Sequence, residues 1–213
     1  MFKKKMSFVS EGLILEASLD LPDDSGGPWP GVVLCHPKPE MGGDMYNGVI
    51  QATSWALGAL GIASLRYNTR GVGRSQGRIR VGVPELADCE AAIAFMSEQS
   101  EIQIEHMGIM GYSYGNASSM PIGGDHPLIK AIAAISPLIP SGALTDCPKP
   151  KLIICGDRDD IVYTDLVIIE SKKMSDPKRI EILPGVDHFW WGSETEGAEL
   201  VAQFMAEHLR GEK

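Results

Sequence analysis

Two extended runs open the chain, residues 4–10 and 13–21, parted by Glu11-Gly12, and together they read as a hairpin. Pro22, Gly26-Gly27, Pro28 and Pro30 then crowd a loop. After it, residues 31–35 form a short, wholly apolar run of the kind buried in parallel sheets. From there extended and helical patterns alternate. Helices are expected over about 47–60, 163–174 and 194–209, and strands over 62–67, 107–112, 129–135, 151–155 and 179–183. Another helix starts near Pro84, with Glu85 and Asp88 favouring its N-terminal dipole and Leu86, Cys89, Ile93 and Met96 on its apolar face. A short helix follows the strand at 107–112, and Pro121 with Gly123-Gly124 is expected to end it early.

Strands alternating with helices imply a mostly parallel sheet covered on both faces, with the opening hairpin as an antiparallel edge. This is an α/β fold, and 213 residues suit a single domain, residues 1–213. In such sheets ligands bind beyond the carboxyl ends of the strands, so chemistry is sought directly after each one.

Composition narrows the class. Apolar residues make up 44% of the chain and charged residues 22%, the balance of a globular protein. The net charge of −9 opposes phosphate backbones and anionic lipid, so neither nucleic acid nor a membrane is expected as a partner. The basic start, Lys3-Lys4-Lys5, lacks the apolar run of a signal peptide. Cys35, Cys89, Cys147 and Cys155 form no C-x-x-C pair, which suits a reduced, cytoplasmic protein. Without H-E-x-x-H or Cys/His ligand spacing, no metal and no cofactor are expected.

After the strand at 107–112 the chain reads Gly111-Tyr112-Ser113-Tyr114-Gly115, a G-x-S-x-G between a strand and a helix. A serine nucleophile needs a sharp turn that lifts its hydroxyl clear of the backbone, and glycines at both ends avoid collisions there. The acid and the base of such a site follow in that order. The loop after residues 151–155 offers Asp157, Asp159 and Asp160. Asp159, third after Gly156, is the choice for the acid that orients a histidine. Asp157 reads as a loop residue bonding nearby amides and Asp160 as a helix cap, and either remains an alternative acid. His188 follows residues 179–183 and is the candidate base. His106 and His208 read as structural or surface residues, and His126 precedes a strand, at the wrong end of the sheet.

Acyl transfer also needs two amide donors for the developing oxyanion. One is expected from Tyr114, directly after the serine. The other should come from the loop His36-Pro37-Lys38-Pro39, where the prolines have no amide hydrogen and Lys38 is the best donor left.

These segments, with Arg66-Tyr67-Asn68-Thr69-Arg70-Gly71-Val72-Gly73-Arg74-Ser75-Gln76-Gly77, Gly42-Gly43 and Asp187-His188, resemble the α/β-hydrolase superfamily over nearly the whole chain. The chain is most similar to the small, lid-poor hydrolases related to dienelactone hydrolase. The resemblance implies esterase-like or acyl-hydrolase chemistry on Ser113, Asp159 and His188. Dienelactone hydrolase itself uses a cysteine nucleophile, so Ser113 argues against that reaction, and Asn116 stands where many relatives carry a small residue.

About sixteen residues separate the strands at 129–135 and 151–155, and their prolines make a loop rather than a helical lid. An open site suits a small-molecule ester or acyl substrate. Phe189, Trp190 and Trp191 are expected to wall the substrate pocket. An amidase or peptidase would use the same residues, and a catalytically silent binding scaffold is the different-class alternative. A nucleotide site is excluded, because Gly71-Val72-Gly73 with Gly77 lacks G-x-G-x-x-G spacing. Assembly into a homo-oligomer is left open.

Overall fold

The computed structural model describes residues 1–23, 26–80, 83 and 85–211. The element order is β1 (Phe2–Ser10), β2 (Leu13–Leu21), β3 (Trp29–Cys35), α1 (Gly48–Ala59), β4 (Ala63–Tyr67), α2 (Leu86–Ser97) and β5 (Ile102–Tyr112). Then come α3 (Asn116–Asp125), β6 (Ile129–Ile135), β7 (Lys151–Gly156), α4 (Thr164–Lys173), β8 (Lys178–Leu183) and α5 (Glu194–Leu209). The eight strands form one sheet in the order β1-β2-β4-β3-β5-β6-β7-β8. β2 runs antiparallel to both β1 and β4, and the remaining pairs are parallel. The opening hairpin turns at Glu11 and Gly12, both with positive φ, as a two-residue connection requires.

The apolar strands feed two cores. Along β3, Val33 and Cys35 point to one face and Val32 and Leu34 to the other, the period of two of a pleated strand. The first face is covered by α2, α3 and α4 through Cys89, Ile93, Met96, Met120 and Val167. The second is covered by α1 and α5 through Ile50, Leu57, Val201 and Met205. Every strand from β3 to β7 is therefore sealed on both sides, and its carboxyl end becomes the place where side chains can meet a ligand. Among the described residues no helix is long and apolar enough to cross a membrane.

Several expectations need correction. The strands around the centre start earlier than their apolar runs, at Trp29 and Ile102, with register shifts near both starts, and His106 lies inside β5. The helix after the elbow does not end early, because α3 continues through Pro121 to Asp125. One hydrogen bond is lost at the proline, but Met120 is buried and Gly123 lies so close to the sheet that a Cβ there would stand 2.6 Å from Ile109. Pro84 lies outside the described residues. Leu86 is exposed rather than part of the apolar face of α2. Asp88 lies in the first turn of α2 as expected and is also fully buried: its carboxylate takes Arg70 at 2.6 Å, the Arg70 amide at 2.8 Å and the Ser10 hydroxyl at 2.7 Å. Burial pushes the Asp88 carboxyl up, but the bonds from Arg70 and Ser10 outweigh it and hold it below the usual carboxylate range.

The arginine-rich segment after β4 is thus a strut. Arg66 pairs with buried Asp20 at 2.7 Å, Asn68 accepts the Met45 amide at 2.8 Å, and Arg70 ties the segment to α2. Removing Asp20 or Arg70 leaves a buried charge without its ionic partner, Arg66 or Asp88, a loss of about 3–5 kcal/mol.

Candidate active site

β5 ends at Tyr112 and the chain turns at once into a short helical turn, Ser113–Gly115. Ser113 takes φ 52°, a left-handed conformation that a non-glycine residue holds only under constraint. The constraint is visible on both sides. A Cβ on Gly111 would come within 2.4 Å of the Ser119 hydroxyl, and one on Gly115 within 2.3 Å of the Cys35 carbonyl. The two glycines let the elbow close against α3 and against the end of β3. Asn116, buried at the start of α3, donates to the carbonyls of Ser113 at 3.2 Å and Ile135 at 3.3 Å.

The loop after β8 brings His188 over the elbow. Its Nε2 lies 2.9 Å from Ser113 Oγ, and its Nδ1 lies 2.8 Å from Asp159 Oδ2. All three side chains are buried. Asp159 is doubly anchored, since its Oδ1 also accepts the amides of Ile161 at 3.1 Å and Val162 at 2.8 Å. Burial raises the Asp159 carboxyl, but the bonds from His188 and Val162, with a smaller contribution from Ser136, more than offset it, so the carboxyl sits below the usual range. A carboxylate there fixes the proton of His188 on Nδ1, which leaves Nε2 free to accept from Ser113. The hydrogen-bonded order serine–histidine–carboxylate can deprotonate the serine hydroxyl as it attacks a carbonyl.

The other aspartates of that loop are elsewhere. Asp157 accepts the Gly185 amide at 2.6 Å, a loop role. Asp160 caps no helix: α4 begins after Tyr163, which supplies no side-chain cap.

His36 lies at the opposite flank of the elbow, after β3. Burial lowers its pKa and keeps it neutral. Its Nδ1 is 2.7 Å from the Pro37 carbonyl, so that nitrogen carries the proton, while Nε2 accepts the Thr69 amide at 3.2 Å. His36 therefore pins the loop carrying Lys38 to the segment after β4. The Lys38 carbonyl accepts from Met41 at 3.1 Å and Gly43 at 3.0 Å, which folds that loop back on itself. Among the described residues, neither the Lys38 nor the Tyr114 amide donates to a protein acceptor.

The three aromatic residues after His188 part company. Phe189 meets the His188 ring edge-on at 5.7 Å and Trp191 stacks on Phe189 at 6.2 Å, both exposed. Trp190 does not wall a pocket. It is 0% exposed, packs on Gly197 of α5, and donates from Nε1 to Ser136 Oγ at 3.0 Å. Its φ of 62° sends the side chain inward between two outward neighbours.

Two supporting residues escaped the sequence reading. Tyr112 donates its buried hydroxyl to the His188 carbonyl at 2.6 Å. Ser136, at φ 39°, holds Trp190 and faces the carboxyl of Asp159. Ser136 directly follows β6, so a search after every strand points to it, whereas no local signal marks Tyr112. A surface groove of about 760 Å³ between α1 and α5 touches none of the three hydrogen-bonded residues. No cluster of side chains suited to a metal ion occurs among the described residues.

Comparison with known proteins bears on the family and the fold. The model of the X-Pro dipeptidyl-peptidase (S15) family matches residues 11–143. An uncharacterised protein of Rickettsia prowazekii is 30% identical over 187 residues, 83% of this chain and 78% of that protein. An α/β serine hydrolase homologue from Coxiella burnetii superposes with a TM-score of 0.85 at 28% identity, over 95% of this chain and 97% of its own. XC6422 of Xanthomonas campestris, described as an α/β serine hydrolase without a lid, shares the fold at TM-score 0.86 and 24% identity, over 99% and 97%.

Proposed function

The chain belongs to the X-Pro dipeptidyl-peptidase (S15) family, and on that premise we propose that it cleaves a small carboxylic ester or thioester through an acyl-enzyme on Ser113. The observation that carries the reading is the unbroken pair of hydrogen bonds, Ser113 Oγ to His188 Nε2 at 2.9 Å and His188 Nδ1 to Asp159 Oδ2 at 2.8 Å.

In the first half-reaction Ser113 Oγ bonds to the carbonyl carbon while His188 Nε2 takes its proton. The oxyanion that forms accepts from the amides of Tyr114 and Lys38, the latter on a loop held by His36. Collapse breaks the bond to the leaving group, which takes the proton from His188. In the second half-reaction water loses a proton to His188 and attacks the acyl carbon, and Ser113 leaves with that proton. Asp159 stays ionised throughout and stabilises the imidazolium. Four free cysteines, all buried, are compatible with a reducing cytoplasm.

A second reading is favoured by the family match: the same machinery acting on a peptide bond. The two differ in the leaving group, an alcohol or thiol against an amine that must be protonated.

Intact-mass measurement after a fluorophosphonate probe tests the shared chemistry. One adduct is expected on the wild type and none on Ser113→Ala. Hydrolysis of p-nitrophenyl esters against X-Pro dipeptide anilides then separates the two readings. An unlabelled wild type would leave a silent binding scaffold as the better account.

A further inference from the structure

Beyond the hydrogen-bonded trio, the sheet edge carries an apolar surface that the chemistry above does not use. The loop after β6 and the start of α4 enclose a groove of about 260 Å³, lined by Leu138, Ile139, Ile161, Val162, Tyr163 and Leu166. Leu138, Ile161, Tyr163 and Leu166 are 41–61% exposed, although they lie side by side. A cluster of large exposed apolar side chains costs solubility and marks a binding surface more often than not.

What this groove binds follows from how it is attached. The Leu138 amide donates to the Ser113 carbonyl at 3.2 Å, so its wall is fixed to the nucleophile. The Ile161 and Val162 amides donate to Asp159 Oδ1, so its other wall is fixed to the residue that orients His188. The strand order sets the direction. β5, which carries Ser113, lies between β3 on one side and β6 then β7 on the other. The loop carrying Lys38 follows β3, and the groove lies beyond β6 and β7. A carbonyl whose oxygen points to the β3 side therefore sends its substituent toward the groove.

We infer that this groove is the subsite for an unbranched apolar group of the substrate, of medium length, directed from Ser113 across the ends of β6 and β7. The inference rests on the acyl-transfer reading above and adds the substrate class to it. The groove is open and small, just under the 300–1,000 Å³ of ordinary ligand pockets, so it takes a short to medium chain and not a long lipid.

The test uses two series on the full-length protein: n-alkyl fluorophosphonates from ethyl to octyl, read as the rate of Ser113 labelling, and p-nitrophenyl esters from acetate to octanoate, read as kcat/KM. Burial of each methylene is expected to raise either rate by about threefold until the groove is filled. Leu138→Ser and Leu166→Ser, both at exposed positions that leave the core intact, should flatten that dependence. Ile182→Ser, equally exposed but on β8, should leave it unchanged. A flat dependence in the wild type, with Ser113 still labelled, overturns the groove and spares the acyl-transfer reading. So does a dependence that survives both groove variants. A change of sedimentation in those variants with the chain-length dependence intact overturns it in favour of a face between copies of the chain. Absence of any Ser113 adduct sinks the acyl-transfer reading, and the groove with it.

Discussion

Asp159→Asn isolates what the carboxylate does for His188, whose Nδ1 lies 2.8 Å from Oδ2 and 3.0 Å from Oδ1. Oδ1 accepts two backbone amides, Ile161 at 3.1 Å and Val162 at 2.8 Å, while Oδ2 makes the shorter contact to His188 Nδ1. In the variant the amide oxygen stays with the two backbone donors, and the NH₂ group faces Nδ1. The NH₂ group so placed favours the tautomer in which Nδ1 accepts and Nε2 carries the proton, where it meets the Ser113 hydroxyl at 2.9 Å and cannot act as a base, although the amide oxygen at the Oδ1 position stays 3.0 Å from Nδ1. Turning the amide over restores the acceptor but leaves the part-buried N–H groups of Ile161 and Val162 unpaired, at about 1–3 kcal/mol each. The productive arrangement thus lies about 2–6 kcal/mol higher, roughly 30- to 3 × 10⁴-fold in rate. Folding stability should change by only about 1–2 kcal/mol, since the loop keeps both amide bonds. The assay is the second-order rate of fluorophosphonate labelling, with urea unfolding as the stability control and ¹⁵N shifts of His188 reporting the tautomer. Labelling within about tenfold of wild type, or a His188 proton still on Nδ1, refutes the orientation argument.

Three further outcomes follow from side chains around the site. Trp190→Ala should cost about 3–5 kcal/mol in urea unfolding, since it empties a fully buried site and strips Ser136 of its donor, whereas Trp191→Ala, 77% exposed, should stay within about 0.5 kcal/mol. Tyr114→Phe should be neutral or stabilising by up to about 1 kcal/mol, because the buried Tyr114 hydroxyl has no hydrogen-bond partner to lose. His36 is held below its ordinary pKa of 6.5 by burial, so the unfolded chain binds the proton more readily. Its contribution is complete above that value and is lost as pH falls from it toward the folded pKa. The melting temperature should therefore drop as pH falls below about 6.5, and less steeply in His36→Gln.

What could be read from the residues alone was what neighbouring residues decide. The elbow at Ser113 needed only the rule that a Cβ cannot fit beside a strained serine, and Gly111 and Gly115 prove to be so crowded that none would fit. Asp159 was chosen by its offset from the end of β7, and that offset is what lets one carboxylate hold both its own loop and His188. Trp190 was misread because three consecutive aromatics look alike in sequence. Which one turns inward depends on a left-handed φ and on the space above Gly197, seven residues on in another element. Asp88 does lie in the first turn of α2, as its place near a helix start suggests, but its partner Arg70 comes from a segment eighteen residues earlier and is not marked locally.

The same distinction tells which part of the site the sequence could reveal. The candidate reacting groups lie just after strand ends because both faces of the sheet are sealed, so topology and local pattern together point to them. Ser136 obeys that rule as well as Ser113 does: it follows a central strand, takes a positive φ, and stands beside the candidate acid. The braces that hold the reacting groups in register, Tyr112 on the His188 carbonyl and Trp190 on Ser136, join elements 54 to 76 residues apart. Nothing local requires such pairs, since each residue would pack acceptably elsewhere in an apolar core. They are specified only once the sheet order has brought the ends of β5, β6 and β8 together, and for that reason the geometry of the site was less legible than its membership.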